Sequence, residues 1–419
     1  MIKLNFLGAI SSVGASGILV ETEEEKILLD YGTKIQEIPP KFPLAIEKKP
    51  DAIFISHSHL DHVGGVPVFF TKNNSCPIYA TSISKPITEL LLLDSIKVSR
   101  EEGIELPFDK ESVDATIKNF LPIKYGEIVK MKKTRLVLFD AGHIPGSALI
   151  FLDFGNKTLL YTGDYNTNET RLLNGANLNL PKIDFLITES TYSDRNHPKR
   201  KTQEKELVKI ISETLSVDGI CIIACFAVAR AQEILLVLDK YGIDYPLYID
   251  GMAKKATTII NQYSSFIKEP NSLNDALDKI KYVDNRMRKK IVRDPCVIIT
   301  SSGMLSGGPI SYYIERLHEK INCSLVLTGY QVEGSPGKTL LETGKYITKK
   351  LNLEVKMFVK RLDFSSHVGR DELFKSIEKM SPEKIFCVHG DHTEEFASEL
   401  RERGFDAIAP LANNRVFTI

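Results

Sequence analysis

The sequence predicts a mixed α/β protein of two domains, one of strands and helices together and one built on a parallel, Rossmann-like sheet. Three observations carry this. The 419 residues, 43% of them hydrophobic, exceed the roughly 250 to 300 at which a single core stops growing. Up to about Thr191, short β-rich segments are mixed with helical ones. Beyond Asp194, strand and helix alternate regularly, the pattern of a parallel sheet joined by helical crossovers.

Taken in order, Ile2 to Leu7, Ile18 to Glu21 and Ile27 to Asp30 are short, β-rich and bounded by glycine or charge, and predict an antiparallel start. Ala52 to Ser56 is an apolar strand, His57 to His62 a polar turn and Val63 to Phe70 the beginning of a helix. Pro86 to Glu102 predicts a helix, while Val129 to Asp140 and Ala148 to Thr162 predict hairpin-like strands, the second turning at Gly155-Asn156. The regular region supplies strands Ile220 to Phe226, Pro246 to Asp250, Cys296 to Thr300 and Ser324 to Thr328, with helices Ala229 to Tyr241, Met252 to Phe266 and Pro309 to Glu319 between them. After about Lys360, strand, histidine turn and helix recur twice. Ser366-His367 precedes helix Asp371 to Met380, and Val388-His389-Gly390 precedes Glu394 to Arg403.

Composition narrows the function classes. The 54 basic side chains cancel the 54 acidic ones, so global charge argues for neither a polyanion partner nor an anionic membrane surface. Apolar stretches such as Gly219 to Ala229 fall short of the ~20 residues of a membrane span, and Met1 to Phe6 lacks the apolar core of a signal peptide. A soluble, cytoplasmic protein without a membrane partner is expected. No GxGxxG opens the first helix of the regular region, so no nucleotide cofactor is expected. The six cysteines lack CxxC spacing and lie mostly in apolar runs, which predicts reduced, buried thiols.

The histidines are more informative. His57-Ser58-His59-Leu60-Asp61-His62 places four potential ligands in six residues, directly after a strand. Crowding ionisable groups into one turn costs desolvation and, for protonated imidazoles, repulsion, unless cations hold them neutral and oriented. Other candidates also sit at strand ends beside glycine: His143 after Ala141-Gly142, Asp164 after Gly163 and His389 before Gly390. Glycine permits close backbone approach, and strand ends hold ligands rigidly. Alone, the hexad also reads as a solvated loop, and His143 or Asp164 as a hydrogen-bonded turn residue. Together they offer seven nitrogen or carboxylate ligands and no thiolate, which suits two zinc ions sharing one carboxylate about 3.5 to 4 Å apart.

His57 to His62, His143 and Asp164, with Asp30 ahead of them, resemble the metallo-β-lactamase superfamily, whose fold is an αββα sandwich with metals at the sheet edges. Glu189-Ser190-Thr191-Tyr192, the Rossmann-like region, Phe364-Ser365-Ser366-His367 and Val388-His389-Gly390 are similar to its β-CASP branch of nucleic-acid hydrolases. The resemblance implies a metallo-β-lactamase domain in residues 1–192 and 363–419, with a β-CASP domain inserted at 193–362. Phe226 to Glu233 and Gly334-Ser335-Pro336-Gly337 look most like the archaeal cleavage and polyadenylation specificity factor-like ribonucleases. The start at Met1 suggests their short form without KH domains, and the end at Ile419 leaves no room for the extra C-terminal domain of ribonuclease J. Family members often carry Ser-Ala-His where Ser365-Ser366-His367 stands and Ala-Asp where Val368-Gly369 follows, which bears on the local fit to a substrate phosphate.

Carried across residue by residue, the resemblance implies one zinc ion on His57, His59 and His143, another on Asp61, His62 and His389, and Asp164 bridging. A shared hydroxide would attack phosphorus in single-stranded RNA, leaving a 5′-phosphate and a 3′-hydroxyl. His367 is the implied proton donor to the leaving oxygen, and Glu189 would orient it and raise its pKa. Endonuclease action is expected, with 5′-to-3′ exonuclease action beside it. Ser301, Ser302 and Gly303, in a strand-to-loop turn, and Ser365 and Ser366 are candidate substrate contacts, as are the basic runs His197 to Lys201 and Arg286 to Lys290. His197 and His318 otherwise read as surface residues. Arg415 to Ile419 fits either a homodimer strand or a buried edge strand. Two alternatives stand beside the nuclease. A small-molecule hydrolase has no evident need of the insert, and a non-catalytic RNA-binding scaffold would be expected to have lost ligands.

Overall fold

Alternation along the strands decides the architecture of the larger part of the chain. The computed structural model describes residues 1–35, 37–71 and 76–419. Met1–Glu169, Asn174–Asn196 and Ser366–Ile419 form one compact unit, and Thr170–Leu173 with His197–Ser365 form a second.

The first unit holds two seven-stranded sheets. One runs in the order Val416–Thr418, Lys3–Phe6, Gly17–Glu21, Lys26–Tyr31, Ala52–Phe54, Ile78–Ala80, Phe120–Pro122. The other runs Ala407–Ile408, Lys384–Val388, Phe185–Glu189, Thr158–Tyr161, Ala148–Asp153, Arg135–Asp140, Ile128–Lys130. Leu4, Phe6, Ile27, Leu29 and Phe54 of the first sheet share one buried core with Leu138, Ile150, Leu159, Tyr161, Phe386 and Val388 of the second. The intervening residues of the second sheet, Leu149, Phe151, Leu160, Leu186, Ile385 and Cys387, pack instead with Leu373, Phe374 and Ile377 of helix Arg370–Met380 and Phe396 and Leu400 of helix Thr393–Glu402. On the first sheet, Leu19, Leu28, Ile53 and Ile78 do the same with Val63, Val66 and Phe70 from the short turns Leu60–Val63 and Val66–Phe70. Successive side chains point to opposite faces of a strand, so apolar residues at both parities require cover on both sides. That is the αββα sandwich. Each buried Leu, Ile or Phe contributes about 1.5 to 3 kcal/mol to it.

The C-terminal segment closes its own sheet. Val416–Thr418 pairs antiparallel with Lys3–Phe6 in the register Lys3↔Thr418, and the Phe417 ring lies 5.8 Å from Phe6 and 5.1 Å from Phe386.

In the second unit six parallel strands stand in the order Ile280–Tyr282, Leu247–Asp250, Cys296–Thr300, Ile220–Ala224, Ser324–Leu327, Phe358–Arg361. The central strands Cys296–Thr300, Ile220–Ala224 and Ser324–Leu327 are buried at every residue, as in sheets covered on both faces. All six cysteines are free and buried. Among the described residues, no helix is long and apolar enough to cross a membrane.

Candidate metal centre

Four strands of the sandwich deliver the candidate ligands. His57 to His62 follow Ala52–Phe54, His143 follows Arg135–Asp140, Asp164 follows Thr158–Tyr161 and His389 follows Lys384–Val388. Two glycines make the approach possible. A Cβ on Gly32 would stand 1.7 Å from the Asp61 carbonyl oxygen, and one on Gly163, at φ +50°, would stand 2.5 Å from Ser56 Cβ; no other residue fits such contacts.

The side chains converge as two clusters that share Asp164. In the first, His57 Nε2 lies 3.1 Å and His143 Nε2 3.2 Å from His59 Nδ1, and Asp164 Oδ2 lies 3.6 Å and 3.8 Å from the same two Nε2 atoms. In the second, His62 Nε2 is 3.3 Å from Asp164 Oδ1 and 3.9 Å from Asp61 Oδ2. His389 Nε2 is 3.4 Å from Asp61 Oδ2, and its Nδ1 is 3.3 Å from Asp164 Oδ1. Within each cluster every residue offers a donor atom within 4.8 Å of the others.

Outer hydrogen bonds set which nitrogen faces inward. Ser56 Oγ donates to Asp30 Oδ2 at 2.6 Å, so it accepts from His57 Nδ1 at 3.2 Å. His62 Nδ1 donates to Asp30 Oδ2 at 2.7 Å, and His143 Nδ1 donates to the Ser366 carbonyl at 2.8 Å. Each of these bonds leaves Nε2 turned toward the cluster, the way a protein presents imidazole to a metal. Asp30 also accepts from Ser56 N at 2.7 Å and from the Tyr161 hydroxyl at 2.9 Å. It sits at φ 55°, a conformation that aspartate tolerates better than most residues. His389, at φ 52°, is pinned by its N–H to the Ala9 carbonyl at 2.6 Å.

Electrostatics divides the candidate ligands. Burial, reinforced by the neighbouring imidazoles, holds His57 and His143 well below the ordinary histidine value, and burial lowers His59. Burial opposes charge on His62 too, but Asp164, Asp61 and Asp30 outweigh it and lift its pKa. Burial would raise the Asp61 and Asp164 carboxyls, yet His62 and His389 keep both below the usual carboxylate range. The first cluster therefore holds three neutral imidazoles, and the centre two carboxylates, in the protonation states that bind cations, whereas His62 carries a proton that a cation would displace.

The residues fit a pair of metal ions. His62 Nε2 and Asp164 Oδ1 are buried and stand 3.3 Å apart as an ion pair, yet neither makes a well-aligned hydrogen bond among the described residues, a shortfall that a shared cation would relieve. Ligand atoms around a tetrahedral cation, at bonds of about 2.0 to 2.2 Å, stand roughly 3.3 to 3.6 Å apart. The observed separations, 3.1 to 3.8 Å in the first cluster and 3.3 to 3.9 Å in the second, bracket that spacing.

A third group adjoins Asp164. His367 Nδ1 is 3.0 Å from Glu189 Oε2 and 3.2 Å from Oε1, and 4.0 Å from Asp164 Oδ2. Glu189 is buried and held by the Tyr165 N–H, which donates to Oε1 at 2.8 Å. Burial pulls His367 down, but Glu189 and then Asp164 overcome it and raise its pKa to about 9. Ser366 lies in the same unit, its carbonyl engaged by His143, whereas Ser301, Ser302, Gly303 and Ser365 belong to the second unit. There the Ser301 hydroxyl accepts from Met252 N at 3.2 Å. His197 is not a plain surface residue. Its Nδ1 stands 3.1 Å from Asp363 Oδ2, and although burial would raise the Asp363 carboxyl, the histidine holds it below the usual range. His392 caps helix Thr393–Glu402 and is half-exposed, 3.8 Å from Glu395. The residues that sequence reasoning did not single out are Ser56 and Tyr161, partners of Asp30.

A two-sheet sandwich whose strand ends gather histidines and aspartates around shared points is the architecture of the metallo-β-lactamase superfamily. Residues 19–190 match the metallo-beta-lactamase superfamily domain, 231–340 the Beta-Casp domain and 352–410 the Zn-dependent metallo-hydrolase RNA specificity domain. The chain is 40% identical to "Probable RNase MJ4" of Methanocaldococcus jannaschii over 99% of both chains. It is 35% identical to "RNase aCSPSF2" of Saccharolobus solfataricus, over 97% of this chain and 83% of that one. It is 34% identical to "Transcription termination factor FttA" of M. jannaschii, over 96% and 69%. The chain belongs to the β-CASP branch of the superfamily, with these archaeal proteins. A crystal structure of a protein of unknown function from Enterococcus faecalis V583 shares the fold, with a TM-score of 0.65 at 14% identity over the whole of both chains.

Proposed function

We propose that the chain is a metal-dependent ribonuclease that hydrolyses phosphodiester bonds of single-stranded RNA and takes two zinc ions as cofactors. The observation that carries this is the single carboxylate of Asp164, which turns one oxygen to each histidine cluster and lies 4.0 Å from a second acid–base pair. His57, His59 and His143 would hold one ion, Asp61, His62 and His389 the other, with Asp164 shared. When bound, such ions lower the pKa of water toward neutrality and neutralise phosphate oxygens.

The chain's own residues supply the rest. Glu189 accepts from His367 Nδ1, so the second proton of the imidazolium sits on Nε2 and is the one available to a leaving 3′-oxygen. Glu189 raises the imidazole, to about 9 in the metal-free chain, and so favours the protonated acid at neutral pH, where a histidine of ordinary value would have lost its proton. The products are then a 5′-phosphate and a 3′-hydroxyl. Internal cleavage is proposed, with 5′-to-3′ trimming as an additional activity.

Single-stranded RNA labelled internally, incubated with zinc-loaded protein, tests the reading. Fragments ending in 3′-hydroxyl, halted by a chelator and restored by zinc, are expected. Fragments bearing 2′,3′-cyclic phosphate, formed with or without chelator, would overturn it, because they require the 2′-hydroxyl and not water as nucleophile. Matched substrates with 5′-monophosphate and 5′-triphosphate ends report on trimming, which should favour the monophosphate.

A further inference from the structure

The second unit presents two aromatic rings at the carboxyl edge of its parallel sheet. Strand Ile220–Ala224 is followed by Cys225-Phe226, and its neighbour Ser324–Leu327 by Thr328-Gly329-Tyr330. The two strands pair in the register Ala224↔Leu327, and the ladder continues with Thr328 N donating to the Ala224 carbonyl at 3.1 Å. Phe226 therefore stands level with Gly329, one residue before Tyr330, on strands about 4.8 Å apart. Phe226 is 37% and Tyr330 43% exposed.

Topology marks the same place. From Ile220–Ala224 the chain passes to Leu247–Asp250 on one side of the sheet order, and from Ser324–Leu327 to Phe358–Arg361 on the other. Adjacent parallel strands whose connections depart in opposite directions leave a crevice outside their carboxyl ends, where ligands of open α/β sheets bind.

The crevice is built rigidly. A Cβ on Gly303 would meet Phe226 N at 3.0 Å, and one on Gly329 would meet the Phe226 ring at 3.2 Å, so glycines on two loops let the ring lie between them. Buried Gln331 ties those loops together, its two Nε2 hydrogens shared among the carbonyls of Gly303 at 2.9 Å, Tyr330 at 3.1 Å and Gly329 at 3.3 Å. Beside them the Ser302 hydroxyl oxygen is buried and, among the described residues, without a hydrogen-bond partner.

We propose that this edge is a nucleobase platform, on which Phe226 and Tyr330 stack bases of single-stranded RNA. Fixed, partly exposed aromatic faces are how proteins hold single strands with little regard to sequence, since every base has a π-face. The proposal rests on the ribonuclease reading, because it takes the same polymer as ligand. Its residues all lie in the second unit.

The test is fluorescence anisotropy of a short labelled oligoadenylate on the full chain, with EDTA present to halt cleavage. Phe226→Ala and Tyr330→Ala should each weaken binding about 5- to 150-fold, the loss of one base–aromatic stack, while Tyr330→Phe should bind as wild type does. Wild type should bind an oligomer with abasic sugars as weakly as the alanine variants bind the intact one. Because the chain has no tryptophan, Phe226→Trp introduces a single indole, whose emission should be quenched by oligoadenylate and not by the abasic oligomer. Unchanged affinity in both alanine variants, or an unquenched indole in a protein that binds RNA, overturns the platform. A wild-type protein that neither binds nor cleaves RNA overturns the ribonuclease reading itself.

Discussion

Replacing Glu189 by glutamine removes a charge while preserving shape, and its effect on His367 follows from the structure. The carboxylate lies 3.0 Å from His367 Nδ1 and is the largest of the influences that raise the imidazole to about 9 against the pull of burial. Without it, burial and Asp164 oppose each other, and the pKa falls back toward the ordinary value of 6.5. At pH 8 a group of pKa about 9 is roughly 90% protonated and one of about 6.5 roughly 3%, so the acid form is depleted about thirtyfold. The sign is fixed. Activity that needs imidazolium is intact below the group's pKa and disappears as pH rises through it, so the variant must lose activity at lower pH than the parent. Bound cations lower the imidazole of both proteins alike, which makes the displacement between them the informative quantity. The assay is single-turnover cleavage of labelled RNA at saturating protein from pH 5.5 to 9.5. A Glu189→Gln profile whose alkaline limb moves down by one to two pH units, with a smaller defect near pH 6, is expected. A uniform loss at every pH, or an unmoved limb, would refute the acid–orienter assignment, because a merely structural role changes amplitude and not position.

Other consequences are as specific. Asp30 accepts from Ser56, Tyr161 and His62, so Asp30→Ala should weaken zinc affinity about 10- to 100-fold, measured by competition with a chelating dye. Gly32→Ala forces a Cβ against the Asp61 carbonyl and should lower stability by more than ~2 kcal/mol, read from urea unfolding together with loss of metal. Zinc at a hundredfold over its dissociation constant should stabilise the wild-type fold by about 2.7 kcal/mol and raise the melting temperature, whereas Asp164→Ala should show little rise. At His367 itself, the raised pKa means that the pairing with Glu189 adds stability to the metal-free chain below pH 6.5 and loses that contribution as pH climbs through about 9. Melting curves of wild type and Glu189→Gln, taken in EDTA, should therefore converge at high pH.

Much of the site was legible because its parts are local. Four candidate ligands fall in one six-residue turn, and the other candidates follow strands beside a glycine, so spacing alone proposes a metal. The parallel unit was legible for a similar reason: Ile220 to Ala224 and Cys296 to Thr300 are continuous apolar runs, as strands buried on both faces must be. What escaped was long-range or diluted. The clamp on His62 joins Asp30, Ser56 and Tyr161, the last 131 residues from Asp30, and no spacing rule links them. His197 finds Asp363 across 166 residues, which is why it read as a surface residue. Helix Arg200–Leu215 buries Leu207, Ile210, Ile211 and Leu215, a narrow stripe among many charges. Strands Ile78–Ala80 and Phe120–Pro122 are three residues each, too short for alternation to appear. The Ser366 carbonyl orients His143, a backbone role that side-chain chemistry does not announce.

Zinc counted per chain by elemental mass spectrometry, on the same preparation whose RNA cleavage is timed, probes the shared carboxylate most directly. Wild-type protein should hold two ions and cut; Asp164→Ala, still folded by circular dichroism, should hold fewer and leave the RNA intact. Metal-free protein that cuts RNA at the wild-type rate, or an Asp164→Ala variant that keeps both ions and full activity, would contradict a centre organised around that residue.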